Sequence, residues 1–418
     1  MKENKPASSR RNFLKSSLAL PAALAAAPAL WASAARAAGD AAPPAAPANA
    51  PAVDEVLPRR PLGKSGRDIT MMTLGGMMPA LSPEYLDIAW SMGIRNFDSA
   101  KVYLNGNSEK ILGKWLALHP ERRKEIFLVT KDSPRSGPEQ LLSMIDTRLA
   151  AIGTSYLDAF YIHGIGPGEY GQGSLDWPKS DAFKKVCETL KSSGKVKLVG
   201  FSCHDARLPD YLNAAAQGGF VDVVMLQFNP FYPKGGPLDL ALDAAHKAGI
   251  GLIAMKTMRT LNDVPKRVPE FDKLGLTTRQ ALLHAVWSDP RISAVCNQVE
   301  NVDQMTASVA AARKYKEPLK LSHVELLRET VVAGRRTMCT GCPACEAAAQ
   351  QTGFAFHDIA RFVTYYEQDG NLEARSYYQA LPATARDASK VDLAALRAGC
   401  HFQTNYPEII CRAERYFA

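Results

Sequence analysis

The sequence predicts an α/β protein, a (β/α)8 barrel of the TIM type followed by a small, mostly helical C-terminal module. Three observations carry that prediction. From Ile69 to about Lys314 short apolar runs alternate with longer amphipathic ones. The apolar runs lack polar alternation, as strands buried on both faces do, and the stretches between them are helical, which argues for a parallel sheet. Eight such units in about 250 residues match a closed barrel. An open doubly wound sheet is the competitor, but no Gly-x-Gly-x-x-Gly follows the first run.

In chain order, the first element is a leader. "SRRNFLK" (Ser9 to Lys15) precedes "SSLALPAALAAAPALWASA", an apolar run too short and too rich in Ala and Pro for a membrane span. Paired arginines, Phe13 and Lys15 in place, and an A-x-A-like end read as a twin-arginine export signal, residues 1–37. Cleavage is expected after Ala37 or Ala34; an uncleaved anchor or a disordered tail is the plainer alternative. The expectation is a periplasmic or otherwise exported protein, with the twin-arginine translocase as a passing partner. Up to Ala37 six cations face only Glu3, so the formal charge of +8 drops to +3 beyond the leader. That is no footprint for nucleic acid. Residues 38–56 form a Pro/Ala linker, extended and without a core of its own. The folded part is expected from Leu57.

The eight strand candidates are "ITMMTLGG", "IRNFDSA", "IFLVTK", "LDAFYIHG", "VKLVGFS", "VDVVMLQFN", "GIGLIAMKT" and "ISAVCN". Helical stretches such as "EQLLSMIDTRLAAI" lie between them, and several end in Gly, a usual C-cap residue. Barrel residues 57–316 give way to a module, 317–418. There "LSHVELLRETVVAGRRTM" reads as a helix leading into cysteines, and "GFAFHDIARFVTYYEQDGN" as a second helix.

Barrel chemistry sits where strands end at their C-terminal edge. The second strand offers Asp98 and Tyr103, the third Lys131, the fourth His163. A tyrosine is a poor acid at neutral pH unless a cation lowers its pKa of about 10. Lys131 beside Tyr103 supplies that cation, Asp98 holds the lysine charged, and His163 orients a carbonyl oxygen. Together they suit protonation of an alkoxide as hydride arrives, or the reverse. Any one alone reads more simply as a structural hydrogen bond or ion pair.

"FDSAKVYLNGNSEKILGKWL", "FLVTK", "LDAFYIHG" and "VKLVGFSCH" resemble the aldo-keto reductases in motif, order and spacing over roughly Leu57 to Lys314. The resemblance implies a tetrad of Asp98, Tyr103, Lys131 and His163 with Tyr103 as proton donor. It implies NADPH (or NADH) extended across the mouth, Ser202 and Gln227 at its carboxamide, and Lys256 near its phosphates. A small carbonyl or alcohol is the implied substrate. Cys203 stands where many members have Asn, and Met255 where an aromatic platform falls. Gln298 and Ser308 stand where the family tends to place Gly and Asn around the adenosine.

"TMCTGCPACEAAAQQ" spaces Cys339, Cys342 and Cys345 as C-x2-C-x2-C. Disulfides suit an exported chain, but three is odd. Zinc needs a second pair, or His357 or His401. The first three positions of the bacterial ferredoxin run C-x2-C-x2-C-x3-C-P fit, and its fourth falls on Ala349. That fourth cysteine serves the other cluster in two-cluster ferredoxins. The pattern therefore points to a single 4Fe–4S cluster with Cys411, or alternatively Cys400, as last ligand. The aldo-keto reductase branch with a ferredoxin-like tail is the resemblance for the whole exported chain. Cys187, Cys203 and Cys296 read as small buried thiols. Of these only Cys203 is expected near the mouth.

The reading is an exported NAD(P)H-dependent oxidoreductase interconverting a carbonyl and an alcohol, with a periplasmic redox partner where the cluster feeds it. The alternative is a non-catalytic or nicotinamide-independent iron–sulfur electron-transfer or binding protein on the same barrel.

Overall fold

A computed structural model describes residues 55–261, 264–334, 339, 345, 351–400 and 402–418. The expected export signal and most of the expected linker, with Cys342, Ala349 and His401, lie outside the described residues. A two-stranded antiparallel hairpin, β1 (Arg59–Pro61) and β2 (Asp68–Thr70), precedes the barrel. Eight parallel strands follow: β3 (Met72–Gly75), β4 (Asn96–Asp98), β5 (Phe127–Asp132), β6 (Leu157–Ile162), β7 (Val196–Cys203), β8 (Val223–Gln227), β9 (Gly251–Met255) and β10 (Ile292–Asn297). They close in the order β10-β3-β4-β5-β6-β7-β8-β9, each beside its neighbour in sequence.

All eight apolar runs contain a barrel strand. The first is split, because its leading Ile69 belongs to the hairpin. "PLGKSGRD" turns the chain back through Gly63 and Gly66, both at positive φ. Leu62 and Ile69 thereby join Phe127, Leu198, Val223 and Ala294 inside the barrel and close its N-terminal end. Arg60 ties the hairpin to the wall by donating to the carbonyls of Ile292 (2.9 Å) and Trp287 (2.8 Å).

Eight helices ring the strands: α1 (Pro83–Ser91), α2 (Asn107–Leu118), α3 (Leu141–Ile152), α4 (Asp181–Ser192), α5 (Leu208–Gly218), α6 (Pro237–Lys247), α7 (Thr278–Trp287) and α8 (Val302–Lys314). Local chemistry fixes their ends. Ser180 and Asn301 cap α4 and α8 through their side chains, and Thr277 with Gln280 forms a capping box on α7. Gly153 and Gly219 stop α3 and α5 in the left-handed conformation. Gly200 is required for another reason: a Cβ there would lie 1.8 Å from the Val223 carbonyl on the next strand. One buried network fastens the site's supports. Thr130 of β5 donates to Glu109 of α2 at 2.6 Å, and Arg148 of α3 donates to the same carboxylate at 2.8 Å.

The longer helices of the tail are α9 (Leu321–Gly334), α10 (Phe356–Asp369), α11 (Ala374–Ala380), α12 (Leu393–Ala398) and α13 (Tyr406–Phe417). Among the described residues this tail contains no strand. Its own core centres on Phe356, Ile359, Val363, Tyr378, Tyr406, Ile410 and Phe417. A second apolar seam joins Leu327 and Val331 of α9, with Phe402, to Phe231, Phe271 and Leu282 on the barrel's flank.

Candidate active site

Strand alternation builds the site. Side chains of a strand alternate faces, and the barrel interior takes Phe127 and Val129 from β5, Ala159 and Tyr161 from β6, Val223 and Met225 from β8. The next inward steps are Lys131, His163 and Gln227. From β7 the inward series runs through Leu198 to Ser202, and from β10 through Ala294 to Cys296. Polar groups thus form a ring at the C-terminal end, one step above the apolar filling.

Lys131 is 1% exposed and Asp98 3%. The ammonium donates to both Asp98 oxygens at 2.6 and 2.7 Å, to the Ser99 carbonyl at 2.9 Å, and to the Tyr103 hydroxyl oxygen at 3.3 Å. It also lies 4.7 Å from the Tyr103 ring centroid. Burial alone would push Lys131 down, but Asp98 and its other neighbours outweigh this and hold the lysine protonated. For Asp98 burial raises the carboxyl against the pull of Lys131.

Tyr103 opens a short turn, Tyr103–Gly106, in which Leu104 (φ 52) and Asn105 (φ 55) are left-handed. Non-glycine residues held that way cost of order 1–3 kcal/mol each, a strain typical of functional sites. The tyrosine ring meets the His163 ring edge-on, centroids 5.5 Å apart. Burial carries Tyr103 up to about 12, more than Lys131 pulls it down. The lowering expected from the lysine is present, but in a buried pocket desolvation is the larger effect. His163 is pushed to about 3 by burial and by the charges of Lys131 and Lys256, so its imidazole is neutral at pH 7. Its backbone is held by Tyr170, whose hydroxyl donates to the His163 carbonyl at 2.6 Å. Tyr170 and Trp177, tilted rings 5.4 Å apart, pack the long loop onto the core.

The residues assigned to a dinucleotide share one rim. Ser202 accepts from the Gly164 amide at 2.8 Å and so fixes the turn after His163. Gln227 ends β8, next to Met255 of β9. Lys256 follows with φ 60, and its ammonium contacts the hydroxyl of Tyr365 from α10, 4.4 Å from the ring centroid.

Two thiols differ from expectation. Cys203 packs outward, between strands and helices, and is fully buried. Cys296 is the cysteine at the mouth. Its sulfur lies 3.6 Å from where a Gly75 Cβ would stand, and Gly75 pairs with Asp98. Its thiol lies beside the Asp98 carboxyl, where it opposes only slightly the rise that burial imposes. The signal was in the sequence: two steps from Ala294 on one strand.

The tail reaches the same mouth. His357 Nε2 lies 3.1 Å from the His204 carbonyl, and the His204 and Tyr365 rings meet edge-on at 6.3 Å. Of the cysteines, Cys339, Cys345 and Cys400 are half-buried against the tail core, whereas Cys411 is exposed. The three share a neighbour in Tyr406, whose phenol is raised first by burial and then by Cys345, Cys400 and Cys339. Cys400 Sγ lies 3.4 Å from Thr404 Oγ1. Burial raises this thiol, but hydrogen bonds from Thr404, Tyr406 and the Phe402 amide outweigh it and hold it below the usual range.

The family model described as "Aldo/keto reductase family" matches residues 70–311, more than half of the chain. The chain belongs to the aldo/keto reductase family. Among curated aldo/keto reductase relatives, str7 of Strobilurus tenacellus is 29% identical over 40% of this chain and 48% of its own length. L-galactose dehydrogenase of Arabidopsis thaliana is 25% identical over 58% of this chain and 82% of its own. The chain spans 48% and 38% of the first two curated relatives it matches, less than half of each. A crystal structure of a Klebsiella pneumoniae aldo-keto reductase in complex with NADPH shares the fold. Its TM-score is 0.50 at 18% identity, over 64% of this chain and 93% of that one.

Proposed function

We propose that this aldo/keto reductase interconverts a small carbonyl and an alcohol, with Tyr103 as proton donor. The observation that carries the reading is the buried Lys131, which joins Asp98 to the Tyr103 hydroxyl in one hydrogen-bonded line. In the reducing direction Lys131 stabilises the phenolate that forms as Tyr103 gives up its proton. Neutral His163 is suited to hold the carbonyl oxygen between the two rings. NADPH or NADH, when bound, supplies the hydride. Ser202, Gln227 and Lys256 on one rim fit that role, and the Klebsiella structure holds NADPH on the same fold. Titrating the protein with NADPH and assaying Tyr103→Phe tests it. Full turnover in that variant sinks the assignment.

The export signal and the tail extend the reading. Cys339, Cys342 and Cys345 with Cys400 are proposed to hold one 4Fe–4S cluster. Cys400 is favoured over Cys411 as the fourth ligand, because it is half-buried beside Tyr406 with Cys339 and Cys345, whereas Cys411 is exposed. A periplasmic redox partner would serve such a cluster. Iron and acid-labile sulfide analysis of anaerobically purified protein decides between a cluster and a bare thiol site.

One observation favours the second reading, a nicotinamide-independent protein. Tyr365 covers the Lys256 ammonium that dinucleotide phosphates would need. Absence of NADPH binding at millimolar concentration selects it.

A further inference from the structure

Inside the barrel, level with Lys131, one hydroxyl is left over. Tyr161 of β6 points into the interior, and the strand register sets it beside Lys131 of β5 and Gly200 of β7. Its side chain is fully buried, and its hydroxyl finds no hydrogen-bond partner among the described residues. A hydroxyl buried unpaired costs stability, and such groups are uncommon in folded proteins. Phenylalanine would fill the same space without that cost. Burial holds the phenol well above its usual range, and the Asp98 carboxylate and Cys296 push it the same way. Tyr161 therefore keeps its proton at any working pH, and Asp98 is the carboxylate that acts on it.

Lys131 has too few protons for its neighbours. An ammonium carries three N–H donors. Lys131 faces four acceptors: both Asp98 oxygens, the Ser99 carbonyl and, at the longest distance of 3.3 Å, the Tyr103 hydroxyl. When Tyr103 passes its proton to a carbonyl oxygen, a phenolate takes the place of that hydroxyl and draws a donor to itself. Asp98 then loses a hydrogen bond in a buried site, where an unserved carboxylate is costly. Cys296 beside it offers only a weak thiol donor. We infer that Tyr161 is a positioning residue, a reserve donor that turns its hydroxyl to Asp98 as Lys131 turns to the Tyr103 phenolate. The Tyr161 proton is not transferred; only the partner of its O–H changes. The inference rests on the reading of Tyr103 as proton donor, and adds the group that lets Lys131 answer the new charge without stranding Asp98.

Tyr161→Phe in the full chain separates a working hydroxyl from a structural one. The variant should melt no lower than the parent, since it sheds only an unpaired buried hydroxyl. Its kcat for carbonyl reduction should fall about tenfold with KM and NADPH affinity unchanged, the loss for one hydrogen bond to a charge. Full turnover, or a lower melting temperature that marks the hydroxyl as a structural bond, overturns the inference. A double-mutant cycle followed by urea unfolding reads the same donor without turnover. Lys131→Met removes both ammonium bonds from Asp98 for good. In that background Tyr161→Phe should raise the unfolding constant about tenfold, against no rise in the parent. An equal effect in both backgrounds overturns the inference. Should Lys131→Met fail to fold, the melting temperature and kcat of the single variant decide. Coupling in the cycle without any wild-type turnover sinks the oxidoreductase reading alone. Tyr103-dependent turnover that Tyr161→Phe leaves untouched sinks this one alone.

Discussion

Tyr365, on a helix of the tail, places its hydroxyl on the ammonium of Lys256, at the rim of the barrel. The contact joins a residue of the family's barrel to one more than a hundred positions later, outside the stretch the family model matches. Lys256 also carries φ 60, so its backbone is held in a conformation that few side chains adopt.

If the phosphates of a dinucleotide seek Lys256, Tyr365 competes with them. Tyr365→Phe removes the hydroxyl and keeps the ring, and NADPH affinity is expected to rise several-fold, as for loss of one competing hydrogen bond to a charge. Fluorescence titration of both proteins measures it. Weaker binding in the variant would instead make Tyr365 part of the cofactor site.

Replacing Tyr103 by Phe is expected to lower kcat by at least about 100-fold, the lower end of what a positioned general acid contributes. The melting temperature should change little, since only the hydroxyl is lost.

Lys131→Met leaves the Asp98 carboxylate buried and uncompensated, a change that costs about 3–5 kcal/mol. Urea unfolding should show it, and the double variant Asp98→Asn, Lys131→Met should recover much of the loss. A single variant as stable as the parent would mean that Asp98 is not ionised in the fold.

The pH profile follows from two shifts. His163, pushed to about 3, is neutral above pH 4, and Tyr103, raised to about 12, keeps its proton through pH 10. The rate of carbonyl reduction should therefore stay level from pH 6 to 9 if these two groups set it. A limb near pH 7 would assign the chemistry to a different group. Stability has a sign of its own. Because the folded value of His163 lies below the unfolded one of about 6.5, the unfolded chain binds more protons between the two. This group's contribution is intact above about pH 6.5 and is lost as pH falls toward 3.

Cys400→Ser should abolish iron retention, whereas Cys411→Ser should leave it intact, because Cys411 faces solvent. Iron content per chain reads both. Loss only in Cys411→Ser would restore the crossing ligand expected from ferredoxin spacing.

The barrel was legible because its signal is physical: eight runs buried on both faces, punctuated by helices with Gly and Ser or Asn ends. The meeting of Asp98, Lys131 and His163 was legible because strand ends converge, so each needed only its place on a strand; their catalytic role is the proposal made above. Three features were not. Ile69 reads as part of the first barrel strand, since an apolar run does not say where a hairpin turns back. The roles of Cys203 and Cys296 depend on which face of a strand each takes, and a one-residue difference reverses them. The meeting of Tyr365 with Lys256 and of His357 with His204 is tertiary, between segments more than a hundred residues apart. The expected acidity of Tyr103 also needed coordinates, because the burial that opposes Lys131 is a property of the packed site.

The hairpin at the far end has a kinetic consequence. With Leu62 and Ile69 stoppering the bottom of the barrel, whatever reaches the tetrad arrives and departs through the tail-shaded end. Two ligands that share one doorway cannot exchange independently. A cofactor and a substrate bound there as proposed would therefore follow a fixed order, the deeper one first to enter and last to leave.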